Sequence, residues 1–261
     1  MASYPIIDAH THIEGLPGCD WQDPPELILR LMDEAGIARA VVMTYCDAPL
    51  QHESYDPLTY VREACQRYPE RLIGFARLDP GAPESVLLLE QAITEWGFQG
   101  LKLHPFGYRQ QPDSPDTLKL LRKAAELGVP TLFHCGDEDY TLPLQIERVA
   151  KACPEAQIIM GHMGGYFHVA DAIQVALRCP NIYLETSATP HPERIREAVD
   201  LLGAERVIFA SDGPGCDPSI ELEKVRILGF SEAQSRLILS ENILRLMPEG
   251  RKDGENKGLK Q

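Results

Sequence analysis

Eight short apolar segments alternate with stretches of helical periodicity along this chain, and this alternation limits the folds open to it. Apolar runs such as 40–43 and 158–160 are continuous, which is typical of parallel strands that are covered on both faces. Strands that alternate with helices in this way predict an α/β fold on a parallel sheet. The predicted strands are 5–9, 39–44, 72–76, 100–103, 131–133, 157–160, 182–185 and 207–210.

The segments between the strands begin with helix-starting signals. Asp23-Pro24-Pro25-Glu26 offers an N-cap residue, a proline in the first turn and a glutamate at N3, and Gly36 ends the helix that follows. A capping box at 231–234 opens a final helix that runs to residue 246. The other predicted helices are 57–68, 83–96, 115–127, 142–153, 168–178, 192–202 and 218–228.

The number of these strand–helix units selects one architecture. Eight units in 261 residues match a (β/α)8 TIM barrel, here a single domain with an extra C-terminal helix. A doubly wound open sheet is the alternative, but it usually has fewer strands at this length. We predict that the barrel occupies residues 1–247 and that the polar, aperiodic segment 248–261 is disordered.

Composition restricts the partners and the compartment. The net charge of −14 at pH 7 argues against nucleic acid and anionic membranes as partners. No apolar run approaches the ~20 residues that cross a bilayer, and the first residues lack the pattern of a secretory signal. The seven cysteines contain no Cys-x-x-Cys pair, as expected of free thiols in a reducing compartment. We therefore expect a cytoplasmic protein that acts on a small molecule.

Two histidines, His10 and His12, follow the first predicted strand. Side chains two residues apart on an extended chain lie on the same side, so both imidazoles can bind one ion. Neutral imidazole is a preferred ligand of zinc and related divalent ions. The pair alone is equally compatible with two surface histidines near a chain end, and the other histidines decide between these interpretations.

Three more histidines and an aspartate follow later strands. His104, His134 and His162 come after the fourth, fifth and sixth strands, and Asp212 comes after the eighth. The carboxyl ends of barrel strands meet at one rim, where the active sites of this fold form. Histidines scattered at random would not gather there, so the pattern predicts a metal-dependent active site.

The predicted site holds one divalent metal ion. Its expected ligands are His10, His12, His134 and Asp212, which leave a coordination position free for water or substrate. Three nitrogen ligands favour Zn²⁺, and Mn²⁺ stays open because it also binds carboxylate and substrate oxygens. Asp212 is also the predicted proton carrier, and His162 is expected to polarise the substrate or relay a proton.

Five segments of the chain carry a family resemblance. In this order on alternating strands they resemble the amidohydrolase superfamily, specifically the amidohydrolase-related branch that includes the aminocarboxymuconate-semialdehyde and resorcylate decarboxylases. The resemblance covers nearly the whole barrel. It implies the same ligand set, a catalytic role for the strand-six histidine and a metal-dependent activity. The segments are Asp8-Ala9-His10-Thr11-His12, Gly100-Leu101-Lys102-Leu103-His104-Pro105, His134, Gly161-His162-Met163-Gly164-Gly165 and Ser211-Asp212.

Lys102 has three interpretations. In binuclear amidohydrolases a carboxylated lysine of the fourth strand bridges two metal ions, and Lys102 lies near that position. In the small-barrel branch this segment usually accompanies a single metal, so we favour an uncarboxylated Lys102, or His104, that binds a substrate carboxylate. A lysine that forms an ion pair inside the barrel is the interpretation without a function.

Other residues near the strand ends are predicted to shape the pocket. Arg109 could bind a carboxylate with two hydrogen bonds, although a solvated loop arginine is the simpler interpretation. Tyr45 and Trp21 are expected at the mouth, where Trp21 could stack on a planar substrate. Glu185, at the end of the seventh strand, is expected to orient His162.

The resemblance permits two reactions. A metal-activated water could hydrolyse an ester, lactone or amide, or the site could release carbon dioxide from a small aromatic or unsaturated acid without an oxidant. The decarboxylases of this branch are generally longer, so the compact loops favour the hydrolase, with the decarboxylase second. A catalytically inert barrel that binds a ligand is the third interpretation. A homodimer is left open.

Overall fold

The computed structural model describes residues 4–248, and its centre is an eight-stranded parallel sheet. Each strand pairs with the next one in sequence. Backbone hydrogen bonds, including one of 3.2 Å from the Ala9 amide to the Phe209 carbonyl, join the last strand to the first and close the barrel. The strands are β1 (Ile7–His12), β2 (Arg39–Met43), β3 (Leu72–Arg77), β4 (Gly100–Leu103), β5 (Thr131–Phe133), β6 (Ile158–Met160), β7 (Ile182–Glu185) and β8 (Val207–Ile208).

Helices follow the strands and cover the outside of the barrel. Many begin at a proline, which is tolerated there because the first N–H groups of a helix have no partner. Asp56 and Ser114 cap two of them by accepting hydrogen bonds from backbone amides of the first turn. The helices are α1 (Pro25–Ala35), α2 (Pro57–Arg67), α3 (Ser85–Thr94), α4 (Pro105–Tyr108), α5 (Pro115–Glu126), α6 (Pro143–Ala152), α7 (Val169–Arg178), α8 (Pro192–Leu202), α9 (Pro218–Arg226), α10 (Glu232–Arg236) and α11 (Asn242–Leu246).

The apolar core has two layers. The larger layer lies between sheet and helices, where Ile28 of α1 and Leu89 of α3 pack with strand residues such as Leu101. The smaller layer fills the barrel with side chains such as Phe75, and Ile243 of α11 packs against it. Because alternate strand residues face inward, the inward positions at the carboxyl ends are free to carry polar side chains.

A register shift in β1 decides where the first two histidines point. Ile7 and Ala9 belong to the interior layer, so strict alternation would turn His10 and His12 outward. The pairing of β1 with β2 shifts by a bulge between positions 8 and 11. A bulge inserts an extra residue and reverses the alternation beyond it, which turns both imidazoles into the barrel.

The predicted fold class, a single-domain TIM barrel, is confirmed. β1 runs to His12 instead of ending at residue 9, and the predicted final helix 231–246 consists of α10, a π-helical turn at Leu237–Glu241 and α11. The four-residue helix α4 was not predicted because it is too short to show a period. The predicted disordered tail lies outside the described residues except for Pro248, and its order stays a prediction.

Two further observations bear on the chain's surroundings. Among residues 4–248 there is no helix of the length and apolar character that a membrane crossing requires. The seven cysteines are free thiols, as the sequence predicts.

Candidate metal centre and substrate cavity

Seven strands deliver polar side chains to the carboxyl end of the barrel interior. Arg77, Lys102 and Glu185 are the inward residues at the ends of β3, β4 and β7, and each is buried. His134 lies one residue beyond β5, and Asp212 lies in the turn after β8. Because parallel strands end at one rim, these groups lie close together although they are far apart in sequence.

His10, His12 and Asp212 form what we call the inner cluster. The two Nε2 atoms are 3.1 Å apart, and they lie 3.3 and 3.2 Å from Oδ1 of Asp212. Both imidazoles are buried. Burial works against the charge of Asp212, but His10 and the other neighbouring imidazoles hold its pKa well below the usual range. The aspartate is therefore a carboxylate.

The tautomers in the inner cluster follow from the partners of the other ring nitrogens. Nδ1 of His10 lies 3.1 Å from the Glu185 carboxylate, and Nδ1 of His12 lies 3.3 Å from the Thr44 carbonyl. Both partners are acceptors, so each Nδ1 carries the proton and each Nε2 presents a lone pair. The two lone pairs and a carboxylate oxygen thus converge on one point, an arrangement that a divalent cation fits.

Lys102 is the nearest cationic group to this convergence. Its Nζ lies 2.6 Å from Nε2 of His10, and the side chain is fully buried. Burial and the nearby Arg77 guanidinium lower the pKa of Lys102 to about 7. Lys102 therefore lies beside the inner cluster at the base of the site, and it is not among the residues that line the cavity described below.

Glu185 connects β1, β6 and β7. Its Oε1 accepts hydrogen bonds from Nδ1 of His10 and from the backbone amide of His162, and its Oε2 accepts one from the amide of Ser187. Burial alone would raise the pKa of Glu185, but the hydrogen bond from His10 and the nearby His162 lower it to about 2. Glu185 orients His10 directly. It orients His162 through the backbone amide of His162 and through Ser187, which was not predicted as a site residue.

His162 occupies a left-handed backbone conformation, with φ of 53°, in the 3₁₀ turn Gly161–Gly164. Ser187 Oγ donates to Glu185 Oε1 at 3.0 Å, so it accepts from Nδ1 of His162 at 2.8 Å. Nε2 of His162 faces Nδ1 of His134 at 3.1 Å. Few non-glycine residues adopt this conformation, and such residues concentrate at functional sites.

His104, His134 and Asp137 form the outer cluster. Nε2 of His134 lies 3.0 Å from Oδ2 of Asp137, and that of His104 lies 3.9 Å from the same oxygen. Nη2 of Arg77 donates to Nδ1 of His104 at 2.7 Å. Because a guanidinium has only donors, His104 carries its proton on Nε2. Burial and Arg77 lower the pKa of His104 far below its usual value.

The structure therefore brings three of the four predicted ligands into direct contact. His134 lies beside them, with its proton directed at Asp137 and its Nδ1 directed at His162. The ring of His162 lies next to both, with centroid distances of 5.3 Å to His10 and 4.8 Å to His134. Asp137 was not predicted as a site residue, although its position three residues after His134 could have indicated it.

A cavity of about 630 Å³ opens onto Asp212. Trp21 and Tyr45 line it as predicted, and the Tyr45 ring stacks on His12 with centroids 4.4 Å apart and planes 14° apart. Tyr166, in the loop after β6, also lines it and was not predicted. Arg109 is exposed at the end of α4 and is not among the lining residues, so the structure does not bring it to the site.

Glu14, also missed from the sequence, holds the loop that carries Tyr45. The buried Glu14 carboxylate accepts hydrogen bonds from the amides of Gly15, Leu16, Tyr45 and Cys46. It stands two residues after His12 on the same extended segment, a period-of-two signal that was available in the sequence. Glu14 thus ties the loops after β1 and β2 together beside the inner cluster.

Comparison with known proteins places the chain in a family. A dihydroorotase from Brevibacillus brevis is 28% identical over 149 residues, which are 55% of this chain and 32% of that protein. This chain thus spans about a third of that relative's length. A family model described as amidohydrolase matches residues 7–248.

Solved structures with the same fold include several decarboxylases. An uncharacterised TIM-barrel protein from Bordetella bronchiseptica has a TM-score of 0.78 at 19% identity, with 95% of this chain and all of that chain covered. A 5-carboxyvanillate decarboxylase from Novosphingobium aromaticivorans, complexed with manganese and a nitrobenzoic acid, has a TM-score of 0.74 at 16% identity, with 94% and 96% covered. A dihydroxybenzoic acid decarboxylase from Polaromonas with bound manganese and 2-nitroresorcinol has a TM-score of 0.71 at 20% identity, with 93% and 96% covered. The fold is shared with these proteins, and the family model shows that the chain belongs to the amidohydrolase family.

Proposed function

We propose that this protein is a metal-dependent enzyme that binds one divalent ion at the inner cluster and acts on a small planar carboxylic acid. The observation that carries the proposal is the convergence of two imidazole lone pairs and one carboxylate oxygen within 3.3 Å. Such a donor set binds a divalent ion tightly, because the buried acceptors otherwise repel one another. We keep His134 as a proposed fourth ligand, reached through Nδ1.

Of the two reactions, we propose non-oxidative decarboxylation. The cavity next to Asp212 is lined by aromatic rings and leucines, which suits a planar aromatic or unsaturated acid. Structural neighbours of similar fold are decarboxylases of such acids, and their alignments span nearly all of both chains. The expectation that compact loops favour hydrolysis therefore loses its support.

Asp212 and His162 have different roles in the proposed reaction. A divalent ion held by the inner cluster would supply Lewis acidity for binding the reacting carboxylate. Asp212, a carboxylate at the inner end of the cavity, takes the proton of a hydroxyl group next to the reacting carboxylate and delivers it to the carbon that bears that carboxylate. The bond between that carbon and the carboxylate then breaks, its electrons restore the unsaturated system, and carbon dioxide leaves. His162, whose Nδ1 donates to Ser187, presents the lone pair of Nε2 and is positioned to accept a hydrogen bond from a substrate hydroxyl.

Hydrolysis of a cyclic amide or ester is the second candidate. It is favoured by the similarity to a dihydroorotase and by Lys102, whose Nζ lies against His10 as the binuclear alternative requires. In that alternative, Nδ1 of His134 and Nε2 of His162 would bind a second ion. The two candidates therefore predict different metal contents.

Two measurements separate these reactions. The purified protein should be loaded with Mn²⁺ or Zn²⁺ and supplied with hydroxybenzoates in one series and with lactones and cyclic amides in another. Release of carbon dioxide with one metal per chain supports decarboxylation. Incorporation of ¹⁸O from labelled water into an opened ring, with two metals per chain, supports hydrolysis. Metal content below a tenth of an equivalent after loading would contradict both and favour the inert barrel.

A further inference from the structure

The charges that surround the substrate cavity have one sign. Trp21, Tyr45 and Tyr166 present aromatic surface, and two acids, Asp23 and Asp212, line the same space. No lysine or arginine is among the lining residues of this cavity in the described part of the chain. Asp212 belongs to the inner cluster, where a bound cation would balance its charge. Asp23 has no such counterion in the cavity wall.

Asp23 is held in a fixed position. Its backbone exchanges two hydrogen bonds with the backbone of Glu14, at 2.8 and 3.0 Å, so the loop after β1 is pinned to the end of that strand. Burial and the nearby Asp23 carboxylate raise the pKa of the Tyr45 hydroxyl. Since the Tyr45 ring stacks on His12, Asp23 lies one tyrosine side chain away from the inner cluster. The carboxylate therefore faces the part of a substrate that extends away from the reacting group.

We propose that this cavity binds the non-reacting arm of the substrate, that this arm is aromatic or apolar without a negative charge, and that Asp23 is the residue that excludes anionic arms. The inference rests on the proposed function only in placing the reacting carboxylate at the inner cluster. An anionic arm would lie beside Asp23 with no cation to pair with, and like charges in a partly dehydrated space repel. A neutral ring packs against Trp21 and Tyr166, and an ammonium group gains both the carboxylate and the aromatic faces.

Three benzoates with a neutral, a cationic and an anionic para substituent test this selection. We expect 4-methylbenzoate and 4-(aminomethyl)benzoate to bind the manganese-loaded protein at least about tenfold more tightly than terephthalate, as measured by calorimetry. Asp23→Asn should reduce this difference to about threefold or less. Asp20→Asn, a change of the same charge at an exposed position in the same loop, should leave it unchanged. Equal or tighter binding of terephthalate, or an unchanged difference in Asp23→Asn, would overturn the proposal.

A second measurement does not depend on the proposed reaction. The thiol of Cys216 lines the cavity. It can be labelled with a cationic and an anionic methanethiosulfonate, and the labelling rate of each reagent is divided by the rate at which that reagent reacts with a small free thiol. The same thiolate attacks both reagents, so the ratio of rates reports the local charge alone. We expect the cationic reagent to be favoured, and Asp23→Asn to lower this preference at least threefold while Asp20→Asn does not. If no benzoate binds, the proposed carboxylate substrate is rejected, and this labelling ratio alone decides whether Asp23 excludes anions.

Discussion

The inner and outer clusters contain the same kinds of side chain, two histidines and one aspartate, but their hydrogens lie in different places. In the inner cluster both imidazole protons point outward, to Glu185 and to the Thr44 carbonyl, so both histidines and the aspartate turn acceptor atoms toward one another, with Lys102 Nζ beside His10. In the outer cluster the proton of His134 points at Asp137, which satisfies both groups. A cluster whose side chains already hydrogen-bond one another gains little from binding a cation. The residue types in a cluster therefore do not by themselves identify a metal site.

The largest expected effect separates the two clusters. His12→Ala should lower metal affinity by more than about 100-fold and abolish turnover. Removing a ligand costs more affinity than the 10–100-fold that is lost when a hydrogen-bond partner of a ligand is removed. His104→Ala should keep the metal. Added metal at 100 times the wild-type Kd should stabilise the wild type and His104→Ala by about 2.7 kcal/mol, and His12→Ala by less than about 0.4 kcal/mol. Thermal unfolding with and without metal measures this, and equal losses in both variants would end the distinction.

His162 should show the next largest effect. His162→Asn keeps a polar side chain but removes the imidazole that faces the site, so we expect kcat to fall by about 10²- to 10⁴-fold. The metal content should stay at one ion per chain, because His162 is not a ligand in the proposed mononuclear site. Elemental analysis beside steady-state kinetics measures both. Loss of metal in this variant would instead favour the binuclear alternative.

Glu185 tests whether the proton placement in the inner cluster matters. Glu185→Gln brings an amide N–H toward groups that are themselves donors, so His10 loses the partner that fixes its tautomer. We expect metal affinity to fall about 10- to 100-fold. Glu14→Gln is the matched control, because Glu14 also accepts several backbone hydrogen bonds but does not contact His10. The control should lower Tm while metal affinity stays within about threefold, as measured by metal titration.

The smallest effect is expected in the outer cluster. The hydrogen bond from His134 is the main reason why the pKa of Asp137 is lowered. A lowered carboxyl pKa contributes stability that is complete above the ordinary aspartate pKa of about 4 and is lost as the pH falls below it. In Asp137→Asn the free energy of unfolding should therefore fall less steeply below pH 4 than in the wild type. Metal affinity at pH 7 should stay within about threefold of the wild-type value. An equally steep decrease in the variant would contradict this placement of the proton.

The sequence predicted the barrel because each strand carries its own apolar signal and each helix its own start and stop. It also predicted which histidines reach the rim, since position relative to a strand end fixes that. It could not predict the bulge in β1, which alone turns His10 and His12 inward, because one extra residue leaves no mark in composition. The tautomers were equally inaccessible, since they depend on partners such as Thr44 that contribute only a backbone carbonyl.

The left-handed backbone at His162 continues into Met163, with φ of 49°, and this has a consequence for protein engineering. Each such residue costs of order 1 kcal/mol relative to glycine, which adopts the conformation freely. A library selected only for heat resistance should therefore gain glycine or asparagine at position 162, but keep Met163, whose fully buried side chain contributes more through packing than the backbone conformation costs. At 162 that gain removes the imidazole, so thermostability and turnover should trade against each other in this one turn of the chain.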